Sequence, residues 1–163
     1  MLIFLLLADP LSYVYQNKGG GFFMKPLFIN QITIQAEVMA VTDYLMDVTN
    51  LPEWNPSIQA IKINEDNYQI IRMEQAINQT ETVTVSKESQ KIIFQIYGDI
   101  LSYILTFELE KNAQNTNVTE KLTILENHKL HLPIVFYKPI VKQAFAKNLT
   151  FLKQRLANEN III

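Results

Sequence analysis

Residues 32–58, ITIQAEVMAVTDYLMDVTNLPEWNPSI, combine two spacings of apolar residues and thereby decide the fold. The start of this stretch belongs to residues 27–36, which alternate loosely and are rich in β-branched side chains, a pattern that predicts a strand. Further on, the apolar residues recur at spacings of three and four, on one helical face: Val38, Val41, Leu45 and Val48. Pro52 and Pro56 prevent a long helix. The stretch therefore predicts a first strand followed by a short helical pair.

Residues 57–128 change to a period of two. Short polar segments, such as residues 64–67 and 86–89, separate the alternating runs. We predict a six-stranded antiparallel meander, because parallel strands would need long crossovers. The clearest strand is residues 101–110, with one apolar face: Leu101, Tyr103, Leu105, Phe107 and Leu109.

After Pro133 the period becomes helical again. The apolar residues form one stripe: Val141, Phe145, Leu149, Leu152 and Leu156. Most cationic side chains, including Lys142 and Lys147, lie off this stripe. The pattern predicts a long amphipathic C-terminal helix that needs a broad apolar surface. We expect Pro139 in its first turn or at a bend.

The N-terminal residues 1–23 raise the question of whether the protein starts at Met1 or Met24. Three glycine codons in KGGGFFMKP (residues 18–26) can spell a ribosome-binding sequence ahead of an initiator at Met24. The apolar run near Met1 has no preceding Lys or Arg and no A-x-A-like cleavage site, so it is a poor signal peptide. We expect a dispensable leader at 1–23 and one domain at 24–160. The alternatives are a surface arm or docked segment, and an export signal or anchor.

Composition limits the possible functions. The chain has 163 residues, a net charge of −2 and a pI near 5.7, which favours a single domain and argues against a nucleic-acid partner. The absence of cysteine excludes disulfides, thiolate metal sites and a cysteine nucleophile, and it suits a cytoplasmic protein.

The histidines, His128 and His131, lie near a proline at a strand-to-helix junction. We assign them a solvent-facing or capping role, and we expect neither a metal nor a cofactor.

The predicted order of elements resembles the START-like or SRPBCC superfamily, and residues 30–157 take part in the resemblance. The family typically opens with A-x-x-x-x-V-(W/F)-x-x-(L/I)-x-D…W-x-P. The residues that stand at or around these positions are Ala36, Val41, Tyr44, Leu45, Asp47, Leu51, Pro52, Trp54 and Pro56. The resemblance implies an α+β helix-grip fold. In such a fold a curved antiparallel sheet of about seven strands wraps a long C-terminal helix, and a cavity lies between them.

Members of this superfamily include lipid and hormone binders, aromatic polyketide cyclases and quinone-binding proteins, so the resemblance implies several functions. We favour binding of a small hydrophobic or amphipathic molecule of lipid, polyketide or quinone type, because the apolar strands offer few titratable groups. The alternatives are an enzyme of the polyketide cyclase/dehydrase type and a protein- or membrane-interaction module. We expect a monomer or homodimer without stable membrane insertion.

The candidate ligand-binding residues are apolar, aromatic or charged side chains of the strands and helices: Trp54, Arg72, Phe94, Tyr97, Tyr103, Phe107, Phe136, Phe145 and Leu149. Trp54 would form a wall or lid of the cavity, or else a packing plug. Arg72 with Glu74 would orient a ligand carbonyl or carboxylate, or else lie on a solvated sheet face. Buried phenols of Tyr97 and Tyr103 would need a hydrogen-bond partner, which a ligand can supply.

Overall fold

The predicted order of elements is found in a computed structural model, which describes residues 14–16, 22–127 and 130–159. The strands are β1 (Val14–Gln16), β2 (Phe22–Met24), β3 (Phe28–Ile34), β4 (Ile58–Ile63), β5 (Tyr68–Arg72), β6 (Thr80–Glu88), β7 (Lys91–Gly98), β8 (Leu101–Asn112) and β9 (Asn115–Asn127). The helices are α1 (Val38–Met46), α2 (Leu51–Trp54) and α3 (Ile134–Glu159), with a 3₁₀ turn at Val48–Asn50.

Strands β3 to β9 form one seven-stranded antiparallel sheet in the order β3-β9-β8-β7-β6-β5-β4. The meander β4 to β9 follows chain order, and β3 pairs with the last strand, from Phe28 opposite Leu122 to Ile34 opposite Thr116. Within this sheet, β3, which comes first in the chain, therefore lies beside β9, which comes last. The α+β helix-grip architecture implied by the resemblance is confirmed.

Two tight hairpins and a register shift shape the long strands β6 to β9. Ser89 and Ala113 have positive φ, and each is the first residue of a two-residue turn, as such turns require. The register between β8 and β9 shifts between Ser102 and Tyr103. An extra residue of this kind increases the local twist and bends the strand, which helps the sheet curve around α3.

Helix α3 is 26 residues long, and it buries the C-terminal part of the predicted stripe: Leu149, Leu152 and Leu156. Val141 and Phe145, nearer the start of the helix, are partly buried. Pro139 lies inside the helix, in its second turn rather than its first.

Strands β1 and β2 pair antiparallel with each other in a separate two-stranded sheet, with Val14 opposite Met24. Sequence reasoning did not predict this pairing. The rest of the proposed leader, residues 1–13 and 17–21, lies outside the described residues, so its dispensability stays a prediction.

Candidate functional site: a polar cluster in an apolar cavity

A cavity of about 20 Å³ lies between the inner face of the sheet, α2 and α3. This volume has room for about one water molecule. Its lining is Leu51, Trp54, Asn55, Ile58, Ile70, Arg72, Glu81, Val83, Phe94, Ile96, Tyr103, Leu105 and Phe145. The wall is apolar apart from a few polar side chains grouped together.

Arg72, Glu81 and Tyr103 are the centre of this polar group. Arg72 Nε donates to Glu81 Oε2 at 2.7 Å, and Arg72 Nη2 lies 2.7 Å from the same carboxylate oxygen in an ion pair. The Tyr103 hydroxyl donates to Glu81 Oε1 at 3.0 Å, and Arg72 Nη2 lies 3.4 Å from the same hydroxyl. The three side chains thus form a closed, charge-assisted network at the cavity wall.

Strand alternation brings these residues to one face. Ile70 and Arg72 of β5 point inward together, and Glu81 of β6 is paired directly with Ile70. Glu81 is therefore the diagonal neighbour of Arg72, within reach of a long side chain. Tyr103 joins them from β8, beside the register shift.

The turn after α2 supplies a further hydrogen-bond acceptor for the Arg72 guanidinium. Asn55 Oδ1 accepts hydrogen bonds from the Ser57 backbone N–H at 3.3 Å and from the Ser57 hydroxyl at 2.7 Å. An asparagine followed by proline, here Asn55-Pro56, favours the start of such an Asx turn. The Ser57 hydroxyl, held in this way, accepts from Arg72 Nη1 at 2.6 Å.

Asn78 holds Glu81 from the opposite side. Its Nδ2 donates to Glu81 Oε1 at 2.8 Å, and its Oδ1 accepts from the backbone N–H of Leu101 at 2.8 Å. A Cβ added to Gly98 would overlap the Asn78 amide, so this position requires glycine. Glu81 therefore receives hydrogen bonds from Arg72, Tyr103 and Asn78.

The electrostatics keep Arg72 charged and Tyr103 neutral. Burial acts to lower the pKa of Arg72, but the interactions with Tyr103 and Glu81 outweigh it and raise that pKa above its ordinary value. Burial also raises the pKa of the Tyr103 phenol, and the charge of Glu81 raises it further. The cavity therefore presents a fixed cation, a fixed carboxylate and a phenol that retains its proton.

Five of the nine predicted ligand-binding residues line the cavity: Trp54, Arg72, Phe94, Tyr103 and Phe145. Phe107 and Leu149 are fully buried in the core without lining it. Trp54 packs edge-on against Phe107 with ring centroids 6.1 Å apart, so it serves as both cavity wall and packing residue.

Several predicted placements require correction. Tyr97 and Phe136 are 51% and 66% exposed and lie away from the cavity. Tyr97 follows the inward-facing Ile96, so strand alternation turns it outward, and Phe136 is on the outer face of α3. The partner of Arg72 is Glu81, because β5 ends at Arg72 and the exposed Glu74 belongs to the following turn. Arg72 is not on a solvated face.

The histidines were predicted to have a solvent-facing or capping role. His131 is exposed, as a solvent-facing role requires. His128 lies outside the described residues.

Sequence reasoning missed Ser57, Asn78 and Glu81. A signal for Glu81 was present, since it alternates in phase with the apolar Val83 and Val85 of β6. Glu120 shows the same signal, because it is in phase with Leu122 on β9. A charged residue in the apolar phase of a strand marks either a wrong register or a buried polar site.

Glu120 forms a second buried polar position, apart from the cavity. The residue is 0% exposed, and Asn30 Nδ2 donates to its Oε2 at 3.0 Å and to the backbone carbonyl of Lys142 in α3 at 3.2 Å. Glu120 Oε1 has no hydrogen-bond partner among the described residues. Burial raises the pKa of Glu120 to about 8, although the hydrogen bond from Asn30 acts in the opposite direction.

We expect Glu120→Gln to stabilise the protein increasingly as pH rises from 5 to 7.5. An acid whose folded-state pKa is raised contributes stability below its unfolded pKa, and that stability is lost as pH rises toward the folded pKa. At about 1.4 kcal/mol per pH unit, the wild type should lose about 3 kcal/mol relative to Glu120→Gln over this range. Urea unfolding at several pH values measures the difference.

Glu108→Gln is the control of opposite sign. The hydrogen bond from Lys121, followed by that from Lys91, lowers the pKa of the Glu108 carboxyl. Its stabilising contribution is therefore present above its ordinary pKa and is lost on acidification. Parallel pH profiles for wild type and Glu120→Gln would contradict a buried, proton-bearing Glu120.

The seven-stranded antiparallel sheet, the long C-terminal helix and the cavity between them define a START-like helix-grip protein. The chain belongs to the family described as polyketide cyclase / dehydrase and lipid transport, whose model matches residues 28–157.

Solved structures share this fold. A START superfamily protein from Mycobacterium smegmatis is 17% identical, with a TM-score of 0.68 over 80% of this chain and 97% of that chain. A conserved protein from Geobacillus kaustophilus is 15% identical, with a TM-score of 0.64 over 80% and 94% of the two chains. DynU16, from the dynemicin biosynthetic locus, is 12% identical, with a TM-score of 0.56 over 79% and 46%. These likenesses establish the fold.

No curated protein matches the chain. Across residues 14–16, 22–127 and 130–159, no helix has the length and apolarity to cross a bilayer. Over the same described ranges, no three His, Asp or Glu side chains are grouped so that they could hold a metal ion.

Proposed function

We propose that this protein binds a small amphipathic molecule of lipid, polyketide or quinone type in the cavity beneath α3, with its polar end at Arg72 and Tyr103. The observation that supports this proposal is the buried Arg72–Glu81–Tyr103 network on an otherwise apolar wall. Ligand pockets characteristically combine an apolar lining with a few fixed polar groups that orient the ligand.

The charge balance of the network favours a neutral polar end. Glu81 already neutralises Arg72, so a ligand carboxylate would meet a second carboxylate close by. A hydroxyl or carbonyl can hydrogen-bond with Tyr103 or the guanidinium without displacing Glu81. We therefore infer an alcohol-, phenol- or ketone-type head group.

Ligand entry requires side chains to move, because a cavity of about 20 Å³ is far smaller than the roughly 300 Å³ of a small ligand pocket. Phe145 of α3 fills the space between Phe28 and Tyr103, with ring centroids 5.4 and 6.3 Å away. Phe145 is only partly buried, so it is the side chain best placed to swing aside or shift with α3.

The same network favours binding over proton-transfer catalysis. The raised pKa of Tyr103 makes it a poor proton donor at neutral pH, and Arg72 is held as a cation. A polyketide cyclase/dehydrase-type activity remains the second hypothesis, on the strength of family membership. The predicted cytoplasmic location also stays part of this proposal.

Titration with decanol and decanoate tests the proposed head group. Decanol should bind more tightly, and at a free concentration of about a hundred times its Kd it should raise the free energy of unfolding by about 2.7 kcal/mol. Trp54 lines the cavity, so its emission should change on binding. If decanoate binds more tightly, the inferred head group is wrong. If neither ligand stabilises the protein and native mass spectra show only the bare chain, the binding proposal fails.

Tyr103→Phe and Tyr97→Phe form a matched pair for this titration. Tyr103→Phe removes only the cavity hydroxyl and should weaken decanol binding by roughly tenfold, the value of about one hydrogen bond. Tyr97→Phe makes the same chemical change on an exposed strand face and should leave binding unchanged. Equal effects of the two substitutions would contradict the placement of the head group at Tyr103.

A further inference from the structure

The first two turns of α3 expose large apolar side chains. Val135, Phe136 and Ile140 are 51%, 66% and 71% exposed, and Leu132, just before the helix, is 53% exposed. Together these four residues form the apolar tip of α3. Contiguous exposed apolar side chains of this size commonly mark an interaction surface.

The outer face of α3 is apolar only at this end. Continuing from Phe136 and Ile140 at spacings of three and four, the outward positions become polar: Gln143, Lys147, Thr150 and Gln154. The inner face remains apolar along the whole helix, as fold stability requires. The apolar tip is therefore a local feature of the surface and not a continuation of the core stripe.

The charge of α3 is opposite to that of the whole protein. Helix α3 has five cationic residues and one acidic residue, Glu159 at its last position, although the chain has a net charge of −2. Lys138 and Lys142 are exposed in the turns that contain the apolar tip, and Lys147 follows on the outer face. Apolar and cationic side chains thus occupy the same end of one helix.

We propose that the apolar tip docks the protein on an anionic phospholipid bilayer. Phe136 and Ile140 enter the boundary between head groups and acyl chains. Lys138 and Lys142 lie three and seven residues after Val135, on the side of the helix where Val135 forms the edge of the tip, and they contact the phosphates there. Basic amphipathic helices bind membrane surfaces in this way, and each lysine near an anionic surface adds to the attraction. The bilayer matches both halves of the patch, the apolar and the cationic.

A second copy of this chain matches the patch less well. A two-fold dimer repeats the same surface on both subunits, so it would bring one basic α3 against another. The one acidic residue of α3, Glu159, is at the opposite end of the helix from the apolar tip and does not compensate for this. Charge complementarity therefore favours the lipid surface as the partner.

This docking surface goes beyond ligand binding and does not depend on it. None of the four apolar-tip residues lines the cavity. Substitutions at the tip should therefore leave decanol affinity unchanged, and Tyr103→Phe should leave vesicle binding unchanged. Failure of one proposal is thus distinguishable from failure of the other.

Co-sedimentation of the full chain with vesicles tests the proposal. Wild type should bind phosphatidylglycerol vesicles and should bind phosphatidylcholine vesicles at least about tenfold more weakly, because the cations require anionic lipid. Phe136→Ser/Ile140→Ser should reduce binding to phosphatidylglycerol by at least about tenfold through lost apolar burial. Lys138→Gln/Lys142→Gln should cause a loss of about the same size that disappears at high salt.

Met39→Ser/Ile63→Ser is the matched control, because it removes two other exposed apolar side chains, on α1 and β4. This variant should bind vesicles like wild type, and all variants should keep the wild-type melting transition. Equal losses for the control and tip variants, or no binding of wild type to phosphatidylglycerol, would overturn the proposal. A dimer in light scattering that Phe136→Ser/Ile140→Ser dissociates, without vesicle binding, would instead assign the tip to self-association.

Discussion

Leu149→Asp should abolish the cooperative folding of this protein. Leu149 is 1% exposed on the inner face of α3. Loss of the leucine side chain from such a site costs about 2–5 kcal/mol, and an unpaired buried carboxylate adds several more. The sum approaches or exceeds the roughly 5–15 kcal/mol by which a domain of this kind is stable. Urea titration followed by circular dichroism should show no native baseline at neutral pH.

Gln154→Asp is the control for this substitution. Gln154 is exposed on the outer face of the same helix, where a substitution usually changes the free energy of unfolding by less than about 0.5 kcal/mol. It tests whether an added negative charge on α3 is itself harmful. A normal urea transition for Leu149→Asp would contradict the packing of α3 against the sheet.

Arg72→Met should destabilise the protein by about 3–5 kcal/mol, because it leaves a buried carboxylate without its cation. Glu81 has a side chain 2% exposed and pairs with Arg72 at 2.7 Å. Methionine retains much of the volume of the arginine stem, so the loss reports mainly the uncompensated charge. The midpoint of urea unfolding at neutral pH measures it.

The double variant Arg72→Met/Glu81→Gln separates charge from packing. The glutamine oxygen can still accept from Tyr103 and Asn78, as Glu81 Oε1 does, while the buried negative charge is absent. We expect the double variant to regain more than half of the stability lost in Arg72→Met. If it is no more stable than the single variant, the loss comes from packing or from the contact between Arg72 and Ser57.

The residue patterns predicted the elements well where a periodicity was long and uninterrupted. The alternation in residues 101–110 and the stripe ending at Leu156 placed β8 and α3 on the correct faces, because one face of each packs against the core. Errors occurred where local signals were short. Residues 68–76 alternate like one strand, but β5 ends at Arg72, where the Arg72 backbone N–H bonds to Gln79 and a turn begins.

The candidate site was predicted in part. Residue type and strand phase selected Trp54, Phe94 and Tyr103, which line the cavity. The same reasoning included Tyr97 and Phe136, because an aromatic side chain fits a core, a cavity wall or an exposed docking surface equally well. Only the packing around each residue distinguishes these environments.

The sequence by itself determined the period of each element, the antiparallel meander with its closing helix, and the absence of cysteine chemistry. These properties depend on residues close together in the chain, whose spacing directly sets which face is apolar. The partnership of Arg72 with Glu81 and Tyr103, the burial of Glu120 and the exposure of Phe136 depend instead on strand register and on where α3 crosses the sheet. Those relations join residues that are distant in the chain, and burial, which gives each charge its energetic weight, exists only after they are packed together.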